Sequence, residues 1–370
     1  MKSLQALLAP LVRQTGSTTG PIGIDLAQDR LNLAQFDGTP SGPSVRAAAS
    51  LAYPCGRDEL LASPPRLKAL LRQALRPYGF KGSRVVSCLR PDEMRILLVN
   101  YPAAENDAQA ITAELRQRLK GELATSVIDF MPIRNDDGDP NRRDALVVVA
   151  PRVNVIRHLE LLDSVGLEAS SLDVGPAALA RLISFVNALD VREKHPNVLL
   201  INFGHVTSHV SVVWGRRLIL DRAIEFGERS LLDRLARVLG IAEDLATRML
   251  EDTGFAEEAA AGDEGELART MAEVLRPEFA ALVGEINKTL VYTASRSRGR
   301  SIDRIYLLGS VGRYSGVDRV MQQLLELPVE VLDPFRAFRS TLRETDQARL
   351  RPIAGLALAC GLSLRGMRDG

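Results

Sequence analysis

The sequence predicts an α/β chain folded as two similar lobes that close on a ligand cleft. Three observations carry this reading. At 370 residues the chain exceeds what one hydrophobic core usually serves. Two distant segments, IGIDLAQDRLNLAQF (22–36) and VLLINFGHVTSHVSVVWGRRLILDRAI (198–224), each form a strand, a tight polar turn and a returning strand. Helical patterns follow each of them, so the chain holds a long-range internal duplication, too widely spaced for a solenoid. Equivalent turns on two lobes then face one another across a cleft.

The elements follow in order. Leu4, Leu7, Leu8 and Leu11 have amphipathic-helix spacing, so residues 1–20 read as a tail or a short docking helix, with Gly16–Gly20 a flexible link. After the first strand pair, Leu67, Leu70, Leu71 and Leu75 form a helical stripe that ends at Pro77 and Gly79. RVVSCLR (84–90) and ILLVNYP (96–102) are strands, Ala108–Leu119 is a helix, and IDFMPI leads to the buried strand ALVVVAP (145–151). A helix carrying Val155, Leu159, Leu162 and Val165 stops at Gly166. LEASSLDVG is a strand, and Pro176 opens a helix through Ala188. VREKHPN is a linker to the second meander, which is followed by helices at Ser230–Leu239 and Ala242–Leu250. A long helix spans about 266–296, with Pro277 a kink or break. IDRIYLLGS is a strand and turn, Val317–Leu327 a helix and PVEVLDPF the last strand.

Composition narrows the function. Lys plus Arg is 47 and Asp plus Glu 46, a net charge of +1, which gives no global drive toward nucleic acid or an acidic membrane. Cys55, Cys88 and Cys360 are far apart and form no CxxC pair, which argues against structural zinc or a disulfide scaffold. The long stretch His195–Gly215 lacks Asp, Glu, Lys and Arg but carries polar residues in strand alternation, so it is no spanning helix. On a strand, His205 and His209 lie too far apart to share one metal ion.

These segments together resemble the actin-like ATPase superfamily, and within it the type IV pilus assembly protein PilM family, related to the division protein FtsA. GIDLAQDRLNLAQF resembles its first phosphate loop, and VLLINFGHVTSHVSVVWGRRLILDRAIEFG its second. IDRIYLLGSVGRYSGVDRVMQQLLELPVEVLDPF resembles the adenosine strand, glycine turn and helix, and PIAGLALACGLSLRG the C-terminal helix. The resemblance implies an actin-like (ribonuclease H-like) fold with a small inserted α+β subdomain in the first lobe. The implied division is 21–84 and 151–193 for the first lobe and connecting helix, 85–150 for the insertion, 194–351 for the second lobe, and 352–370 for a helix returning to the first. It implies ATP with Mg²⁺ in the cleft, with Asp25, Leu26, Ala27, Gln28 and Asp29 at the first loop, Asn202 and Gly204 at the second, and Gly309, Ser310 and Gly312 at the adenosine turn. Asp25 would hold Mg²⁺ through water.

This chain departs from that pattern. Ala27 replaces a glycine, Asn32 a common lysine, Asn202 an acid and Ser310 a glycine. Loss of the acid alone weakens Mg²⁺–nucleotide binding by about ten- to hundredfold, taking about 1.5–3 kcal/mol for a charge-assisted bond. The expectation is a degenerate cleft with weak or absent ATP binding and hydrolysis. Plainer readings stay open beside it: a strand-end aspartate at 25, a hairpin corner at 202–204, and a strand-to-helix turn at 309–312.

The family further implies a cytoplasmic scaffold at the inner-membrane face of a type IV pilus, self-associating or not, that captures the N-terminal segment of a PilN-like single-pass protein. Rivals are an active ATPase, the equivalent part of a secretion or competence apparatus, and a small-molecule kinase using Asp173 as base.

Overall fold

The computed structural model describes residues 18–103, 106–119, 121–133, 141–188, 196–255, 263–296, 301–340, 342, 350, 353–365 and 367. The leucines of the expected N-terminal helix lie outside these residues. Among them, no helix is long and apolar enough to cross a membrane.

The first lobe opens with a meander, β1 (Thr18–Leu26), β2 (Arg30–Thr39) and β3 (Gly42–Ala52). Helices α1 (Arg57–Leu61) and α2 (Pro64–Leu75) follow, then β4 (Arg84–Cys88). Next come β5 (Arg95–Pro102), α3 (Asp107–Leu119), β6 (Ser126–Ile133) and β7 (Arg142–Pro151), and then α4 (Arg152–Ser164), β8 (Glu168–Asp173) and α5 (Gly175–Asn187). The second lobe holds β9 (Asn197–Phe203), β10 (Ser208–Trp214) and β11 (Arg217–Ile224), helices α6 (Glu228–Leu239), α7 (Glu243–Asp252) and α8 (Asp263–Arg296), then β12 (Arg304–Gly309), α9 (Val317–Leu325) and β13 (Val329–Val331). The chain returns through β14 (Arg339–Ser340) to α10 (Ala357–Ser363).

Three sheets result. The first runs β14-β3-β2-β1-β4-β8, the second β11-β10-β9-β12-β13, and the third β5-β7-β6. In both large sheets an antiparallel meander is extended by parallel strands, so the duplication in the sequence is a duplication of topology. The small sheet, with α3 packed on it, has a core of its own built on Val99, Tyr101, Ile111, Leu115 and Val147.

Two boundaries differ from the sequence expectation. RVVSC, which a division at residue 85 assigns to the insertion, lies inside the first sheet because β4 pairs in parallel with both β1 and β8. The chain also rejoins the first lobe before residue 352, since Arg339–Ser340 pairs with Ser44–Val45 on β3. Pro277 sits inside α8 without ending it, and α9 stops two residues early, at Leu325, where Glu326 turns left-handed.

Strand β3 carries little strand signal because it is rich in alanine, a weak strand former. It forms because Ala47, Ala48 and Ala49 are fully buried. Its neighbour β2 is buried on both faces. One face packs on α2 and Leu162 of α4, the other on α5 and α10. Leu179, Leu182 and Ile183 of α5, with Ala357, Ala359 and Cys360 of α10, share a cluster with Val198, Leu200, Tyr306 and Leu308 of the second sheet, so both lobes share one core beneath the cleft. Close approach makes this possible. A Cβ on Gly23 of β1 would fall 1.9 Å from the carbonyl oxygen of Ala359 in α10, a distance no side chain tolerates. Of the stripe expected on α4, Leu162 and Val165 are buried, Val155 is half-buried and Leu159 stays exposed.

Candidate functional site

Above that shared core lies a cavity of about 480 Å³ between the lobes. The β1–β2 turn supplies Asp25, Leu26, Ala27, Gln28 and Asp29 to its lining. From the second lobe come Asn202 and Gly204 at the β9–β10 turn, Gly309 at the end of β12 and Ser310 just after it. The three turns that the sequence separates by almost 300 positions thus meet at one place. Gly312 does not line the cavity. It is buried under the turn, where a Cβ would sit 3.4 Å from the Ala354 methyl.

Asp25 lies one residue before the end of β1, beside its strand partner Asn32, whose Nδ2 donates to Asp25 Oδ2 at 3.0 Å. Asn32 Oδ1 accepts in turn from Ser50 Oγ at 2.8 Å. Burial pushes the Asp25 carboxyl up from 3.8 to about 6, against the opposing pull of Asn32 and Arg57. Arg57 Nε donates to the Ala27 carbonyl at 3.2 Å and Tyr53 donates to the same oxygen at 3.1 Å, so the first turn is held from behind.

The second-lobe turns are tied to each other. Ser310 N donates to the Phe203 carbonyl at 2.9 Å, and Ser310 Oγ donates to the Gly204 carbonyl at 3.0 Å. The Ser310 hydroxyl therefore braces the turn after β12 on the β9–β10 turn. On the neighbouring strand, His209 is buried and faces Asn202 across the β9–β10 ladder. Its Nδ1 donates to Asp221 Oδ2 at 2.8 Å, and Ser211 Oγ donates to Asp221 Oδ1 at 2.6 Å. His205 is held at 3.4 Å from Glu228, whose carboxylate keeps the imidazole above its usual value.

Sequence reasoning did not find Arg313, which fills the space between the lobes with its side chain 7% exposed. Its Nη1 donates to Asp29 Oδ2 at 2.9 Å and its Nη2 to Glu228 Oε1 at 2.7 Å. Tyr314 OH donates to the same Glu228 oxygen at 2.6 Å. Burial pulls the Glu228 carboxyl up, but His205, Arg313 and Tyr314 outweigh it and hold the group below its ordinary value. The only signal in the sequence was proximity, one residue after Gly312.

The lining fits phosphate better than it fits a divalent cation. Arg90 Nε, Arg313 Nε and His209 Nε2 are buried without a protein partner on residues that line the cavity. A cation meets Asp25, half-neutral near pH 6, while Asn202 at the equivalent turn is uncharged and the carboxylates of Asp29 and Glu228 are already taken by Arg313. Among the described residues no cluster of His, Cys, Asp and Glu could hold a metal ion by itself. Asp173 does not line the cavity. It pairs with Arg181 at 2.9 Å and Arg365 at 2.7 Å, which pin α5 and the C-terminal segment, so the kinase reading loses its base.

A family profile for the type IV pilus assembly protein PilM matches residues 23–367. The chain belongs to the PilM family. Among solved structures it is similar to a PilM–PilN type IV pilus biogenesis complex, with a TM-score of 0.76 at 20% identity over 95% of this chain and 99% of that one. It is also similar to the ethanolamine utilization protein EutJ from Carboxydothermus hydrogenoformans, with a TM-score of 0.53 at 14% identity over 95% and 92% of the two chains. At such identities the likeness is one of fold, and the two lobes of this PilM-family chain have the actin-like arrangement.

Proposed function

We propose that this chain is the cytoplasmic, actin-like platform of a type IV pilus assembly, docked at the inner-membrane face by holding the N-terminal segment of a PilN-like single-pass protein. The match of the PilM profile to nearly the whole chain carries this reading, and the likeness to a PilM–PilN complex supports the partner. A synthetic peptide of the cytoplasmic N-terminus of the co-encoded single-pass protein, labelled and titrated with the full chain, should bind saturably at or below tens of micromolar. No anisotropy change in that range would overturn the partner assignment.

The cleft is the second part of the proposal. Nucleotide phosphates would lie against the turns at Asp25–Asp29, Asn202–Gly204 and Gly309–Ser310, and Mg²⁺ would supply charge neutralisation there. With Asn202 uncharged and Asp29 and Glu228 already engaged by Arg313, affinity for Mg²⁺–ATP is weak and hydrolysis slow. Asn202→Asp should raise Mg²⁺–ATP affinity by about ten- to hundredfold in isothermal titration, by restoring a charge-assisted interaction of about 1.5–3 kcal/mol. Tight, Mg²⁺-dependent binding by the unaltered chain, abolished by Asp25→Ala, is the result that rejects a weakened cleft.

A further inference from the structure

We propose that Arg313 is a clasp that holds the two lobes closed, so that the clamp reaches its closed form through its own side chains. The geometry is a three-residue bridge. Asp29 projects from the β1–β2 turn of the first lobe, Arg313 follows β12 in the second, and Glu228 begins α6.

The second-lobe end of the bridge is rigid. Glu228 is buried, and its backbone N–H donates to the Gly204 carbonyl at 3.0 Å, which ties it to the β9–β10 turn. A carboxylate at the first position of a helix also sits in the favourable field of the helix N-terminus. Glu228 Oε1 accepts from both Arg313 and Tyr314, and Glu251 adds a second, more distant carboxylate at 3.7 Å from Arg313. Arg313 is therefore fixed in direction before it meets Asp29. The planar guanidinium suits this task, because one nitrogen can face each lobe at the same time and a lysine ammonium cannot reproduce that fork.

The first-lobe end is the adjustable one. The Asp29 side chain is 44% exposed and also contacts Arg30 at 3.2 Å. Partial burial opposes its ionisation, but Arg30 and Arg313 prevail and hold it below the ordinary carboxylate value, so it is charged at neutral pH. Solvent screens this arm, which sets its strength at that of a modest surface pair attached to a buried anchor. A modest coupling is what a clasp requires: strong enough to bias the lobes and weak enough to release. The ligand class that would compete is also set by the chemistry. A phosphate-bearing molecule at the first turn would offer Arg313 an anion in place of Asp29.

The test reads lobe separation and does not depend on the pilus partner, so its failure and that of the proposed function are distinguishable. Spin labels on cysteines introduced at the exposed positions Asp58 and Asp244, in a chain carrying Cys55→Ser and Cys88→Ser, the two half-buried cysteines, report the distance between lobes. The unaltered chain should give one short distance that Mg²⁺–ATP at millimolar concentration does not shorten further. Asp29→Asn, which cuts only the exposed arm and leaves Glu228 paired, should raise the long-distance population about three- to tenfold. Arg313→Lys should do the same, and raised salt should open the unaltered chain in the same direction. Unchanged distances in both variants would overturn the clasp, as would a chain that closes only when Mg²⁺–ATP is added.

Discussion

Asp25→Asn is expected to stabilise this protein above pH 6, by about 3 kcal/mol at most at pH 8, and to give no gain at or below about pH 4. The Asp25 carboxyl titrates near 6 in the folded chain against an ordinary 3.8. Below 3.8 both folded and unfolded chains keep the proton. Between the two values only the unfolded chain releases it, so the folded state loses stability as pH rises. Above 6 the loss is complete, at about 1.4 kcal/mol for each pH unit of separation. An asparagine carries no charge to desolvate, and its amide oxygen can still accept from Asn32 Nδ2 at the position where Asp25 does at 3.0 Å. Urea denaturation of both proteins from pH 4 to pH 8 measures the difference. A constant offset across that range would show that burial does not govern Asp25. A carboxylate that weakens its own fold at neutral pH is the expected mark of a residue placed for a ligand, since stability and function commonly trade against each other at sites. The same variant should bind Mg²⁺–ATP still more weakly.

Gly309, which ends β12, and Gly312, in the turn after it, should behave very differently. Gly309 has φ +77, and a Cβ there would lie 2.1 Å from the Phe203 carbonyl oxygen and 2.8 Å from Asn202 Oδ1. Alanine then meets a left-handed backbone penalty of about 1–2 kcal/mol and an overpacking cost of about 1–3 kcal/mol. The clash falls on the β9–β12 contact that forms the cleft floor, where Gly309 pairs with Phe203. Gly309→Ala should therefore lose about 2–5 kcal/mol in chemical denaturation. Gly312 has ordinary backbone geometry and room to 3.4 Å, so Gly312→Ala should lose under about 1 kcal/mol. Equal losses would mean that the Phe203 contact relaxes and that Gly309 is dispensable. Gly309 is thus required by the packing of its own lobe, whatever the cleft binds.

Much of the architecture was legible because its signals are local. The alternation in IGIDLAQDRLNLAQF and in HVSVVW gave the two hairpins, and Leu67, Leu70 and Leu71 gave α2. Strand β3 was not legible, since Ala47–Ala49 become strand only under the pressure of helices packed on them. Two-residue β14 has no local pattern at all. The place of β4 was ambiguous for a different reason: RVVSC and ILLVNYP look alike as strings, and only the parallel neighbours β1 and β8 separate them. The His209–Asp221 pair was passed over as a metal question, although hairpin register places His209, Ser211 and Asp221 on one face.

The turns at Asp25–Asp29, Asn202–Gly204 and Gly309–Ser310 were set by the sequence itself, because turn residues and strand parity act over a few positions. Which charges those turns carry into one another was decided only by the tertiary structure. Asp29, Glu228 and Arg313 are distant along the chain, and a Coulombic pair depends on separation in space and on burial, neither of which a string of residues records.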